Sequence, residues 1–191
     1  MTKARLEAFS DGVMAILITI MVLELKVPHG DNWDAIAPLV PSLLTYLLSF
    51  IYLGIYWTNH HHLFHTTDRI NGSILWANLH LLFWLSLVPF ATGWMGENRF
   101  APVPTAAYGA VLMLAGTAYL ILERTIIRDQ GAGSKLATAV GKDVKAKVSA
   151  LMYALAIPIA FVHRGFAEAI YVVVALLWLV PDPRIESALK R

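Results

Sequence analysis

The chain contains no cysteine in 191 residues, which removes disulfide bonds, thiolate metal ligands and thiol nucleophiles together. It is poor in charge. Only 15% of its residues are Asp, Glu, Lys or Arg, where a soluble domain carries about a quarter. Its net charge of +2 is too small to mark a nucleic-acid binder. No HExxH pattern occurs. The first apolar run is followed by Glu24, Lys26 and Pro28 instead of a small-residue cleavage site, so this run is expected to be retained and not removed as a leader.

What is present in quantity is apolar surface: 58% of the residues are hydrophobic. A crossing takes ~20 consecutive apolar residues, and the chain divides into about six such stretches with no room for a soluble domain. We expect one all-α transmembrane domain over the whole chain, with helices at about 6–27, 38–62, 72–95, 105–127, 146–162 and 166–180. Pro38 and Pro41 fall in the first turns of the second helix, where proline is tolerated. Pro89 falls inside the third, which predicts a kink near Leu85. Gly109, Ala110, Ala115, Gly116 and Ala118 on the fourth permit close helix packing. The polar stretch from Gln130 to Lys147 reads as a loop with an interfacial helical piece. The last two cores cover only ~22 Å of the ~30 Å hydrocarbon layer at ~1.5 Å per residue. Either they start earlier, with Lys145 and Lys147 snorkelling, or they form a short hairpin packed on protein; we take them as two true spans, ended by Pro181, Asp182 and Pro183.

With the N-terminus inside, twelve of the fifteen Lys and Arg residues fall on cytoplasmic segments, leaving Lys26, Arg99 and Arg164 outside. That bias favours six spans in the cell membrane with both ends cytoplasmic.

The first helix carries the candidate site. At ~100° per residue, taking Ile16 as zero, Ile20 lies at ~40°, Leu23 at ~−20° and Thr19 at ~−60°. These residues form one bulky apolar stripe with a hydroxyl on its flank. Such a stripe is also what a helix facing lipid or protein core carries. Asp11 lies ~140° away. A carboxylate at a membrane helix centre costs ~2.5–3.5 kcal/mol on insertion scales and normally finds a partner; nearer the interface, water and the helix N-terminus suffice. The partnered reading is a polar network in which Arg5, Ser10 and Asp11 join Asn78 and His80 from the third helix, fixing the tilt of the first.

The run Arg5-x-x-x-Phe9-Ser10-Asp11 resembles the signature of the endolysosomal potassium-channel family in its bacterial six-helix branch. Support extends to Asn59-His60-His61-His62, to HLLFWLSLVPFATGWMGE in the third helix and to ALLWLVPDPRIE near the end, so nearly the whole chain is covered. The resemblance implies a homotetramer with no re-entrant filter loop, and this chain lacks TVGYG. It implies that four copies of helix 1 surround an axis, with apolar pore positions at Ile16, Ile20 and Leu23, Ile16 the main constriction, and a hydroxyl layer at Thr19. Potassium and other monovalent cations would pass an apolar neck with modest selectivity over sodium, and lipid would surround the assembly. Glu24, one turn beyond Ile20, would concentrate cations at the outer mouth, or be an ordinary interfacial carboxylate.

His60, His61, His62 and His65 raise a metal reading, because His61 and His65 share an i, i+4 face that zinc can use. An interfacial packing or hydrogen-bonding role is the reading adopted, with no cofactor and no metal. The competing functions are an ion- or proton-coupled secondary transporter using Asp11, and a metal-dependent membrane enzyme using the histidines.

Overall fold

The computed structural model describes residues 2–67, 69–131, 133–140 and 144–179, and every regular element among them is helical. Helix α1 spans Lys3–Leu23. It starts earlier than expected because Thr2 caps it: Thr2 is extended, and its Oγ1 accepts the Arg5 backbone N–H at 3.4 Å. It also ends earlier, at Leu23 with Glu24 as cap. The chain then extends towards Pro28, which disfavours helix in the residue before it.

Two 3-10 turns, Trp33–Ala35 and Ala37–Leu39, lead into α2, Val40–His65. The expected third span is two helices, α3 (Gly72–Ser86) and α4 (Val88–Glu97). Pro89 has no N–H to offer the carbonyl of Leu85, so the ladder breaks where the kink was expected. Helix α5 runs Pro102–Gln130, with proline at its first position and Gly131 at φ +91° closing it. A short α6, Lys135–Val140, occupies part of the polar stretch. Helix α7, Val144–Val162, and α8, Arg164–Leu179, are separated by His163 alone. Asp68, Lys142, the expected stop Pro181-Asp182-Pro183 and the tail with Arg184, Lys190 and Arg191 lie outside the described residues.

Five described segments are long and apolar enough to cross a membrane: Lys3–Leu23, Trp33–His65, Gly72–Glu97, Pro102–Gln130 and Val144–Val162. The expected sixth is not among them, because the 16 described residues of α8 reach only ~24 Å.

The helices pack around two cores. In the first, α1 lies against α2, α3 and α4, and α3 against α5, burying Leu6, Met14, Leu17, Leu53, Phe64, Leu81 and Leu122. In the second, α5 packs on α7 and α8 around Tyr108, Leu112, Tyr153, Ala156 and Tyr171. Small residues set the closest approaches. A Cβ at Gly109 would collide with the Tyr171 hydroxyl, which donates to the Thr105 carbonyl at 3.0 Å. A Cβ at Gly96 would fall 2.8 Å from Cα of Ser42 on α2. This is the close helix approach that membrane interfaces use in place of a hydrophobic drive.

Candidate functional site: the N-terminal helix

Helix α1 has two unlike sides. Leu6, Ser10, Met14, Leu17 and Met21 recur every three or four residues and are buried against the bundle. The opposite side is bare in the single chain: Ile16 is 57% exposed, Ile20 41% and Leu23 81%. Thr19 lies on this side and is exposed, as is Phe9, seven residues before Ile16 and so close to the same line. Thr19 Oγ1 donates to the Ile16 carbonyl at 2.8 Å. Its proton is therefore committed to the helix, and the oxygen lone pairs are what it can present outward. Glu24, exposed, follows at the end of the stripe.

The buried side is held by a polar relay across three helices. Ser10 Oγ donates to the Leu6 carbonyl at 2.9 Å and accepts from Asn78 Nδ2 on α3 at 3.0 Å. Asn78 Oδ1 lies 2.8 Å from His60 Nε2 on α2. For that bond to form, the His60 nitrogen must carry the proton. Ser10, Asn78 and His60 are all buried. Phe64 packs on the His60 ring with centroids 4.6 Å apart. Each bond of this kind contributes only ~0.5–1.5 kcal/mol net, but orphaning a buried member costs ~1–3 kcal/mol. The relay therefore fixes the relative placement of α1, α2 and α3 more than it adds stability.

The structure thus brings together Ser10 and Asn78, but not the other expected members. His80 is exposed and accepts from Trp84 Nε1 at 2.9 Å, one turn along its own helix. It lies two residues after Asn78, about 200° around the helix. Arg5 is exposed in the first turn. Asp11 makes its own tie: Trp57 Nε1 of α2 donates to its Oδ1 at 3.0 Å. Sequence reasoning missed Trp57, and it left His60 among its neighbours as an interfacial residue. The available signal for His60 was spacing, since it stands seven after Leu53 and four before Phe64, both buried. His61 and His65 are exposed on another face, ring centroids 6.2 Å apart. Among the described residues no group of three or more His, Cys, Asp or Glu is placed to hold a metal ion.

Charged side chains gather at the two ends of the bundle. At one end Lys3 Nζ reaches the His65 carbonyl at 3.4 Å, and Arg69 pairs with Asp129 at 3.3 Å. Asn71 also bonds Asp129, at 2.7 Å. At the other end Lys26 pairs with Glu97 at 2.6 Å, and Arg164 Nη1 reaches the Arg99 carbonyl at 3.5 Å.

An all-helical bundle of apolar helices, with its first helix pinned by polar bonds on one flank and uncovered on the other, defines a multi-pass membrane protein. The chain belongs to the TMEM175 family. The family model described as "Endosomal/lysosomal potassium channel TMEM175" matches residues 5–89, the segment holding the Arg5–Asp11 run, His60 and Asn78. A potassium channel of Chryseobacterium sp. (strain P1-3) is 57% identical over 190 residues, covering 100% of this chain and 99% of that one. A potassium channel of Streptomyces collinus (strain DSM 40733 / Tue 365) is 32% identical over 202 residues, covering 97% of each. The crystal structure of a lysosomal potassium-selective channel TMEM175 homolog from Chamaesiphon minutus superposes with a TM-score of 0.82 at 27% identity, over 93% of this chain and 96% of that chain.

Proposed function

We propose that this protein is a potassium channel of the cell membrane, formed by four copies with α1 of each around a central pore. The observation that carries this reading is the full-length likeness, at 57% identity, to a chain named as a potassium channel. The family is one of channels and not of enzymes. The uncovered flank of α1 supports the assembly, because it is the only side of that helix free to face an axis.

In the proposed pore, Ile16, Ile20 and Leu23 form an apolar neck that gates by dewetting, and the ion keeps or partly exchanges its water there. Thr19 oxygens, their protons already given to the helix, offset part of that loss. Potassium sheds water more easily than sodium, so the preference is real but modest without a dense carbonyl cage. Ser10, Asn78 and His60, with Asp11 tied to Trp57, are proposed to set the tilt of α1. Six spans with both ends cytoplasmic complete the topology, supported by the Lys and Arg bias and by the gathering of Lys26, Arg99 and Arg164 at one end. Potassium and other monovalent cations are the permeant partners, with lipid around the ring.

Purified protein in liposomes tests the reading. Potassium flux should stop at the potassium equilibrium potential; flux strictly coupled to a second ion points to a transporter instead. Ile16→Asn should wet the neck, raise current roughly twofold or more and weaken discrimination against sodium. Conductance and selectivity identical to wild type would take Ile16 out of the pore.

A further inference from the structure

Lys26 and Glu97 form an ion pair of 2.6 Å between Nζ and Oε1, with side chains 74% and 55% exposed. An exposed pair contributes only ~0–1 kcal/mol to stability, so its main consequence is where it leaves charge. Lys26 is the third residue beyond α1, following Leu23 at the end of the bare stripe. Glu97 is the last residue of α4, which packs on α1. Between them opens a recess of about 280 Å³, with Glu24, Ser42 and Arg99 also on its walls. Two cations and two carboxylates therefore meet in one vestibule. The hydrogen bond and charge of Glu97, opposed by desolvation and helped least by the charge of Glu24, hold the Lys26 ammonium above the ordinary lysine range. Lys26 thus stays charged at any physiological pH, and its counter-charge must come from a neighbour.

Resting on the pore reading above, we infer that Glu97 controls cation entry by neutralising Lys26 beside the outer mouth and holding its ammonium towards α4. Glu97 is a positioning residue. Removing its charge leaves Lys26 and Arg99 facing Glu24 alone, one net positive charge per subunit at the end of the pore helix, and in a four-fold ring these sum to a positive collar. Such a collar lowers the local concentration of potassium and slows its entry from that side. The effect is electrostatic and reaches ~30 Å in 0.01 M salt but only ~3 Å at 1 M.

Single-channel recording of the reconstituted full chain tests this. Glu97→Gln should cut inward potassium current by about twofold or more in dilute KCl, with outward current less affected and the difference gone near 1 M. Lys26→Gln should raise inward current, and the double variant Lys26→Gln/Glu97→Gln should return it to wild type. Wild-type inward current in Glu97→Gln at low salt overturns the proposal, as does a double variant that stays depressed. Ile16→Asn is recorded alongside. If it changes conductance while Glu97→Gln does not, the inference about Glu97 fails and the pore reading stands. If Ile16→Asn is silent too, the pore reading itself is lost.

Discussion

Asn78 is the residue on which the anchoring of α1 turns. It spends its amide in two directions, donating to Ser10 and accepting from His60, with all three buried. Asn78→Leu therefore orphans the buried His60 Nε2, while Ser10 keeps the Leu6 carbonyl but loses its bond to α3, and at ~1–3 kcal/mol for the orphaned group it should lower thermal stability measurably. His80→Ala removes only an exposed acceptor for Trp84 and should stay within ~0.5 kcal/mol of wild type. Thermal unfolding in detergent separates the two; comparable losses would mean that His80 shares the load. The pairing of Ser10 with Asn78 was legible in the sequence, because both polar residues fall near the same end of apolar helices. The third member was not assigned, because four histidines in six residues read together as an exit from the membrane, and only one of them lies in phase with Leu53 and Phe64. Trp57 reads from the sequence as an aromatic-belt residue, and its bond to Asp11 was not legible, since an indole near a helix end is as often an interfacial anchor as a donor to a carboxylate.

At the scale of elements, the break at Leu87 and the contact at Gly109 decide how the bundle closes. The break was legible because proline cannot supply the N–H that the Leu85 carbonyl would accept. Helix ends were read less well. Thr2 caps α1 from outside the apolar run, and the helix closes at Leu23 with Glu24 as its cap, before the expected end at Val27. The contact at Gly109 was visible only as a small residue, not as the seat of the Tyr171 hydroxyl. Gly109→Ala should push α8 off α5 and cost ~1–3 kcal/mol by overpacking. Combining it with Tyr171→Phe, which removes the colliding oxygen, should recover part of that loss. Equal melting temperatures for wild type and Gly109→Ala would show that the helices slide apart freely.

At the scale of the molecule, the uncovered side of α1 is the feature that the single chain leaves unresolved. Bulky side chains on a helix pinned along its opposite flank fit a site completed by other copies, and the apolar stripe was readable from spacing alone. What stripe and spacing could not say is whether lipid or a neighbour covers it, because both accept isoleucine and leucine equally well. The proposed ring predicts a mass of four chains, corrected for bound detergent, in a mild detergent. A single stable chain would end the proposal.

The same uncovered side bears on how such a ring would stay together. In water an apolar flank would force association, but hydrocarbon solvates isoleucine as readily as another protein does. Cohesion must then come from shape: how well each flank fits the next. A fourfold state of this kind is diluted by its own solvent, so adding lipid at constant protein should thin the population of conducting assemblies without unfolding a single subunit.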